Sequence, residues 1–484
     1  MADVRPSGSP AAGSPPPDLD LTRAWLVDPA AGREGLGDIV VRDGVLVSVI
    51  WLEEADDDGP GPGGIVVAPG FIDLHTHLRE PGYEDAETVA SGLAAAAHGG
   101  FTTVCAMPNT SPPADDASVL RDEIAAAMRS GSPVRLLPYG AVSAGRLGEA
   151  LAPLGELADA GAMGFSDDGS PVRSANVLRN ALLYAGMLGL PIVDHPEELG
   201  LTEGAEAHEG LVAAILGLRG WPAAAEEAAV ARDLAILAEV LPSEPRARLH
   251  LTHLSVPGSL ELVRRAKAAG LPVTCDVTPH HLALTDEWIA GVDRWAWAAE
   301  PGDPAAGGTR SLPAPRTSPP YGTSLRVNPP LRAPADVLAC LAALADGTVD
   351  AVGTDHAPHS VVVKDVEFGL AANGISGIET ALGLLLEAVA AGRITLGRAI
   401  AALTTGPAAV LGSRLQHAVG LVEGAPADLV VFDVGDRWRV TPETLQSRGK
   451  NSPLMGRDLP GRVLLTLANG RLAYADPGTL GDRL

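Results

Sequence analysis

The sequence predicts an α/β protein: a (β/α)8 barrel of the TIM type carrying a small β-sandwich domain built from both ends of the chain. Three observations carry this. Eight short apolar runs alternate along the middle of the 484 residues with Ala- and Leu-rich stretches of helical length. β-rich segments occupy both ends. No Gly-x-Gly-x-x-Gly or Gly-x4-Gly-Lys-Ser/Thr sequence follows an early strand, as a nucleotide-binding doubly wound sheet would show.

Taken in order, residues 1–18 are dense in Pro, Gly, Ser and Ala and lack an apolar block, so they read as a disordered tail rather than a signal peptide. Residues 21–28 and 38–51 follow as β runs, the second turning at Asp43-Gly44, a dipeptide suited to a hairpin. At the far end 427–434 and 461–476 mirror them, with a turn at Asn469-Gly470. Residues 19–68 and 413–484 are therefore assigned to one composite β domain, and 69–412 to the barrel. The eight barrel strands are read as 65–77, 101–109, 133–142, 162–169, 191–195, 247–255, 271–281 and 349–356. Helical stretches follow them, among them 85–98, 117–129, 174–188 and 261–270. Residues 298–322, rich in Pro and Gly, read as an inserted loop or lid before Asn328-Pro-Pro.

Composition narrows the function. Hydrophobic residues make up 46 % and charged residues 20 %, as in a soluble globular protein, and with aromatics at 4 % the core rests on Ala, Val, Leu and Ile. The net charge of −25 repels nucleic acid and anionic membrane surfaces, so neither is expected as a partner. A small anionic substrate stays admissible where a metal or an arginine reverses the sign locally. Cys105, Cys275 and Cys340 form no Cys-x-x-Cys pair, which excludes a disulfide scaffold and a cysteine-rich zinc site and fits the reducing cytoplasm. No apolar run reaches the roughly 18 residues of a membrane span.

The strand ends carry the chemistry. His75 and His77, two apart at the end of the first barrel strand, project to the same side, where two imidazoles can grip one ion. The fourth run ends in Asp167-Asp168, the fifth in Asp194-His195, the sixth in His250-Leu-Thr-His253, and the eighth in Asp355-His356-Ala-Pro-His359. Seven of the 12 histidines thus fall at the ends of the first, fifth, sixth and eighth strands, the rim where such barrels hold their catalytic groups. Nitrogen and carboxylate donors without thiolates suit Zn²⁺, with Mn²⁺ or another divalent ion as alternatives, and four His with two Asp suit two ions sharing a bridging group.

These pieces, with 70–82 (GFIDLHTHLREPG), 99–110 (GGFTTVCAMPNT), 165–169 (FSDDG), 208–210, 216–222, 277–282 (VTPHHL), 328–332 (NPPLR) and 353–359 (GTDHAPH), resemble the amidohydrolase superfamily, and within it the class I dihydroorotases, from about Leu21 onward. The resemblance implies two zinc ions per subunit. His75 and His77 would hold one, His195 and His253 the other, with Asp168 bridging and Asp355 acting both as ligand and as the catalytic proton-transferring base. It further implies substrate binding by His77, Arg79, Asn109, Asn328, His359, Asn373 and Gly374. The implied reaction is the reversible interconversion of N-carbamoyl-L-aspartate and L-dihydroorotate in de novo pyrimidine biosynthesis. The implied setting is a cytoplasmic homo-oligomer able to associate with aspartate carbamoyltransferase. Ala372-Asn373-Gly374 stands where relatives commonly read Pro-Phe-Gly or Arg-Pro-Gly, and Pro196 follows the fifth-strand histidine in place of a small residue or Cys.

Two alternatives remain at this point: a hydantoinase- or allantoinase-type cyclic amidohydrolase, and a non-catalytic scaffold for aspartate carbamoyltransferase. Hydantoinases bridge their metals with a carboxylated lysine at the fourth strand. The only lysines here are Lys267, Lys364 and Lys450, all beyond the sixth strand, so Asp167 or Asp168 must supply the bridge. A scaffold would be expected to have lost ligands, and all six positions are filled. His280 and His281 are left outside the site, His98 and His417 are assigned no function, and Glu226-Glu227 reads as a solvated helix face.

Overall fold

The structure is a computed structural model that describes residues 18–52, 59–60, 64–298 and 316–477. The expected tail, apart from Asp18, and most of the 298–322 insertion lie outside the described residues.

The middle of the chain closes into a parallel ring. Phe71–Thr76 pairs with Phe101–Ala106, which pairs with Arg135–Pro138. Phe165 bridges Gly140 on one side and Ile192 on the other. Ile192–Asp194, Leu249–Leu251, Val273–Val277 and Ala351–Val352 continue the ring, and a bridge from His356 to Thr76 completes it. Every strand therefore delivers its C-terminal end to one rim. The fourth strand, expected over 162–169, is reduced to Phe165 alone. Asp167 turns inward to accept the backbone amides of Val142 (2.9 Å) and Ser143 (3.0 Å), and that ends the ladder.

Helices wrap the ring where their capping residues predict them. Thr88 caps Val89–His98 in a reciprocal box with Ser91, Asp116 caps Ala117–Ser130, and Ser174 caps Ala175–Leu188. In the last of these, Val177, Leu178, Ala181, Leu182 and Ala185 recur at helical spacing and are buried against the ring.

The run 65–77, read from sequence as one strand, is two. Ile65–Pro69 belongs to a sheet made by the chain ends, and Phe71–Thr76 to the barrel. At Gly70 between them a Cβ would lie 2.2 Å from Thr102 Cγ2, so only glycine lets the chain pass. The chain-end strands form one seven-stranded sheet rather than two hydrogen-bonded ones. Its order is Arg471–Ala475, Asp458–Ala468, Leu429–Arg439, Ile65–Pro69, Leu19–Asp28, Arg33–Arg42, Val45–Trp51. Strand alternation splits its faces. Trp25, Val27, Val66, Ala68, Val430 and Phe432 join the barrel's main core, while Leu26, Val67, Leu429 and Val431 gather with Ile39, Val41 and Leu467 in a core of the sheet's own. The hairpin turns fall at Asp43-Gly44 and Asn469-Gly470, all four residues at positive φ. Among the described residues no helix is long and apolar enough to cross a membrane.

Candidate active site

Six side chains from five strands meet at the rim: His75, His77, Asp168, His195, His253 and Asp355, all buried. Asp168 stands between two histidine pairs. Its Oδ2 lies 3.2 Å from His75 Nε2 and 3.5 Å from His77 Nε2, and its Oδ1 lies 3.3 Å from His195 Nδ1 and 3.4 Å from His253 Nε2. Asp355 Oδ1 closes the first group, 3.0 Å from His77 Nε2 and 3.4 Å from His75 Nε2. Bonds of about 2.1 Å to a tetrahedral ion set its ligand atoms about 3.4 Å apart, which is the spacing seen here.

The hydrogen bonds behind the imidazoles test whether the donors fit a cation. His77 Nδ1 donates to Asn109 Oδ1 at 2.9 Å, so a neutral His77 turns the lone pair of Nε2 toward Asp168 and Asp355. His195 Nε2 donates to Glu197 Oε2 at 2.9 Å and turns its Nδ1 lone pair toward Asp168 and toward His253 Nε2, 2.8 Å away. Lone pairs facing carboxylates repel unless a proton or a metal ion stands between them, and two such confrontations sit on opposite oxygens of one carboxylate. The donor set fits two divalent ions.

Burial, against the pull of Asp355, holds His77 below the ordinary imidazole value. Burial alone would push His75 down, yet the Asp168 and Asp355 carboxylates raise it to about 9. Burial is likewise overcome at His195, raised to about 10 by Asp168 and Glu197. Against their own burial, Asp168 and Asp355 are held below the usual carboxylate range by the imidazoles around them.

The backbone is bent to present these groups. Arg79, His253 and Asp355 have φ of 63°, 41° and 46°, a region that non-glycine residues enter at a cost of about 1–3 kcal/mol. The turn at His253 is fixed by Asp276, whose Oδ1 accepts the His253 amide at 2.6 Å while its Oδ2 takes His250 Nε2 at 2.9 Å. Arg146 holds the Asp168 turn by donating to the Asp167 and Asp168 carbonyls (3.0 and 2.5 Å).

A cavity of about 190 Å³ opens on this cluster. Of the residues expected in the site, all but His75 line it: His77, Asp168, His195, His253 and Asp355 on one wall, with Arg79, Asn109, Asn328, His359, Asn373 and Gly374 around them. Arg79 does not pair with Glu80; its Nε donates to the Pro358 carbonyl (3.1 Å), and its guanidinium lies 3.3 Å from His359 Nε2. His359 Nε2 also lies 2.7 Å from the Asn373 carbonyl, so Asn373 reaches it by backbone alone. Burial, then Arg79, holds His359 down at about 3, leaving a neutral ring.

Comparison with known proteins agrees with this geometry. Residues 64–245 match the family model "Dihydro-orotase-like" and residues 228–473 the "Amidohydrolase family". A protein named dihydroorotase from Anaeromyxobacter dehalogenans is 45 % identical over 93 % of this chain and 96 % of its own. The chain belongs to the dihydroorotase family of amidohydrolases. A second family member, from Pelotomaculum thermopropionicum, is 42 % identical over 93 % of this chain and 97 % of its own. Among solved structures, the L-hydantoinase of Arthrobacter aurescens superposes with a TM-score of 0.75 at 23 % identity, covering 95 % of this chain and 96 % of that one. That likeness is one of fold, the amidohydrolase TIM barrel.

The family signature and the spacing argument passed over several residues that shape the site. Glu197 is chief among them: Oε2 accepts both from His195 Nε2 and from Asn328 Nδ2 (3.0 Å), Oε1 accepts from Thr202, and His195 above all, against burial, holds it at about 2. Its signal was present, a carboxylate two residues past a strand-end histidine. Glu226 is a correction. Read as solvated, it is 3 % exposed and accepts the amides of Ser255 (3.0 Å) and Val256 (3.3 Å), because Ala225, Ala229 and Val230 turn that helix face inward. His281, left outside the site, donates from Nε2 to the Pro329 carbonyl (3.1 Å) and steadies the loop that carries Asn328.

Proposed function

We propose that this protein is a zinc-dependent dihydroorotase that interconverts N-carbamoyl-L-aspartate and L-dihydroorotate in pyrimidine synthesis. The observation that carries the reading is the single carboxylate, Asp168, spanning two histidine pairs beside Asp355 and Arg79. The relatives named dihydroorotase support the choice of ring. His75 and His77, with Asp355, would hold one ion, and His195 and His253 the other, with Asp168 between. When bound, the two ions supply an acidified water and polarise the ring carbonyl.

The protein's own groups do the rest. In the ring-opening direction water adds to the amide carbonyl, and the bond from that carbonyl to the ring nitrogen breaks. Asp355 takes the proton from the attacking water and returns it to the departing nitrogen, a task suited to a carboxylate at the cavity edge that burial isolates from solvent. Arg79 offers the substrate carboxylate a planar fork held in place by the Pro358 carbonyl. His359, neutral, and Asn328 line the same space and fix the ring's orientation. The free, buried cysteines suit a cytoplasmic setting. A homo-oligomer, its association with aspartate carbamoyltransferase, and the division into a barrel of 69–412 and a β domain of 19–68 with 413–484 belong to the same proposal.

The test is turnover of dihydroorotate, hydantoin and allantoin in parallel, with a zinc count on the active protein. Two zinc per chain and turnover of dihydroorotate alone are expected; turnover of only the other two rings ends the assignment, and stoichiometric absence of metal favours a scaffold. Asp355→Asn should keep the fold by circular dichroism while kcat falls about 10²- to 10⁴-fold in both directions.

A further inference from the structure

Beside the cavity lies a group of cations that the reaction above does not use. Lys364 ends the short helix Val361–Lys364, which begins two residues past His359. Its side chain is 5 % exposed, and Nζ donates to the carbonyls of Thr323 (3.0 Å) and Arg326 (3.4 Å). The Arg326 guanidinium in turn donates to the carbonyls of Phe368 (3.2 Å), Gly369 (2.5 Å) and Ala371 (2.7 Å). Among the described residues neither cation has a carboxylate at ion-pair distance. The Gly374 amide donates to the Arg326 carbonyl (2.9 Å), and the Ala372 amide to that of Val363 (3.0 Å). The Lys364 helix, the stretch leading to Asn328 and the Asn373-Gly374 turn are thereby braced into one wall. Carbonyl dipoles hold an ammonium in place without cancelling its charge.

The charges around Lys364 are of its own sign. Burial first, then the Arg326 and Arg79 guanidiniums, push it down to about 7. His359 also feels Lys364 and stays neutral. Glu206 offsets Arg326 in part, and Asp365 and Glu367, on the same segment as Lys364, are exposed.

We propose that Lys364, buttressed by Arg326, is a specificity-determining residue whose ammonium lays a second layer of positive charge behind Arg79 and His359, favouring rings that carry a carboxylate over neutral rings. This rests on the dihydroorotase reading of the same cavity. A carboxylate arriving at Arg79 draws a proton onto Lys364, so anion binding takes up protons near neutrality. Below about pH 7 the lysine is charged before the ligand arrives; above it the proton must be taken from solvent, and affinity falls as pH rises.

The experiment uses the zinc-loaded full chain and two probes, orotate and uracil, which differ chiefly by a carboxylate. Calorimetry at about pH 6 and about pH 9 should show orotate binding weaken about tenfold in the wild type. Lys364→Met should bind orotate as weakly at the lower pH as the wild type does at the higher, with its response to uracil unchanged. Lys364→Arg keeps the charge and cannot lose it, so it should restore tight orotate binding at high pH and abolish the proton uptake seen in buffers of different ionisation heat. Should Lys364→Met not fold, the arginine variant decides alone. Orotate affinity and proton uptake that ignore these substitutions overturn the proposal even if dihydroorotate is turned over. A protein that fails to turn over dihydroorotate yet shows the Lys364 dependence keeps the proposal and loses the reaction.

Discussion

The cavity has two walls, and they are built differently. The donor wall, His75, His77, Asp168, His195, His253 and Asp355, stands at the ends of barrel strands and the turns that leave them. Its imidazoles are aimed by side chains reaching across from other strands: Thr252 to His75 (2.7 Å) and Asn109 to His77. The facing wall, Arg79, His359, Asn373 and Gly374, is carried on the connections beyond the strands and held largely by backbone carbonyls, those of Pro358 and Asn373 among them. Strand ends keep fixed spacing because the ring pins them, so six donors can converge to ligand distance. Loop-borne groups have no such frame and need local bracing, which Lys364 and Arg326 supply with five carbonyl contacts. The first wall suits holding ions; the second suits selecting a substrate.

Four sets of substitutions probe that division, from the largest effect to the smallest. Asp168→Asn removes one charge from between the histidine pairs and should cut turnover about a thousandfold or more, with less than the full zinc complement by elemental analysis; a fully loaded, active variant would break the two-ion picture. Arg79→Met strikes the other wall and should raise KM about 10- to 100-fold with zinc content intact, whereas an unchanged KM removes the carboxylate contact. Glu197→Gln lies behind both walls, since His195 and Asn328 share its Oε2. Zinc affinity by competition with a chelator should fall about 10- to 100-fold, and KM should rise with it; an effect on KM alone would show that Glu197 serves only Asn328. The smallest effects belong to neighbours. A Cβ on Gly374, at φ 139°, would meet Ala357 Cβ at 2.6 Å and His359 Nε2 at 3.1 Å, so Gly374→Ala should raise KM about tenfold. Asn373→Ala leaves its carbonyl in place and should stay within about twofold in KM; a larger change would give the Asn373 amide a role.

Much of the donor wall was legible because its signal is local. His75 and His77 sit two residues apart in a strand, where period-two alternation sends both to one side, and each remaining donor closes an apolar run that the barrel must end at the same rim. The hairpins at Asp43-Gly44 and Asn469-Gly470 were legible for the same reason, since the dipeptide itself favours positive φ. The break at Gly70 was not. Ile65–Pro69 and Phe71–Thr76 read alike as apolar β, and only the approach of Thr102 shows where one layer hands over to the next. Glu226 misled because charge on a helix predicts solvent, while the amides that bury it come from Ser255 and Val256, about 30 residues on.

By itself, then, the sequence determined which residue types end the strands and hence that the donors meeting there are nitrogen and carboxylate oxygen, because those rules act over a few bonds. Which Asp168 oxygen faces which histidine pair, that Glu197 joins His195 to Asn328, and that Lys364 lies buried among carbonyls with no carboxylate of the described residues beside it were decided only when distant segments packed. Hydrogen bonds and Coulomb forces act through space over a few ångströms, and separations such as the 41 residues between Thr323 and Lys364 or the 131 between Glu197 and Asn328 carry no trace of which groups will meet.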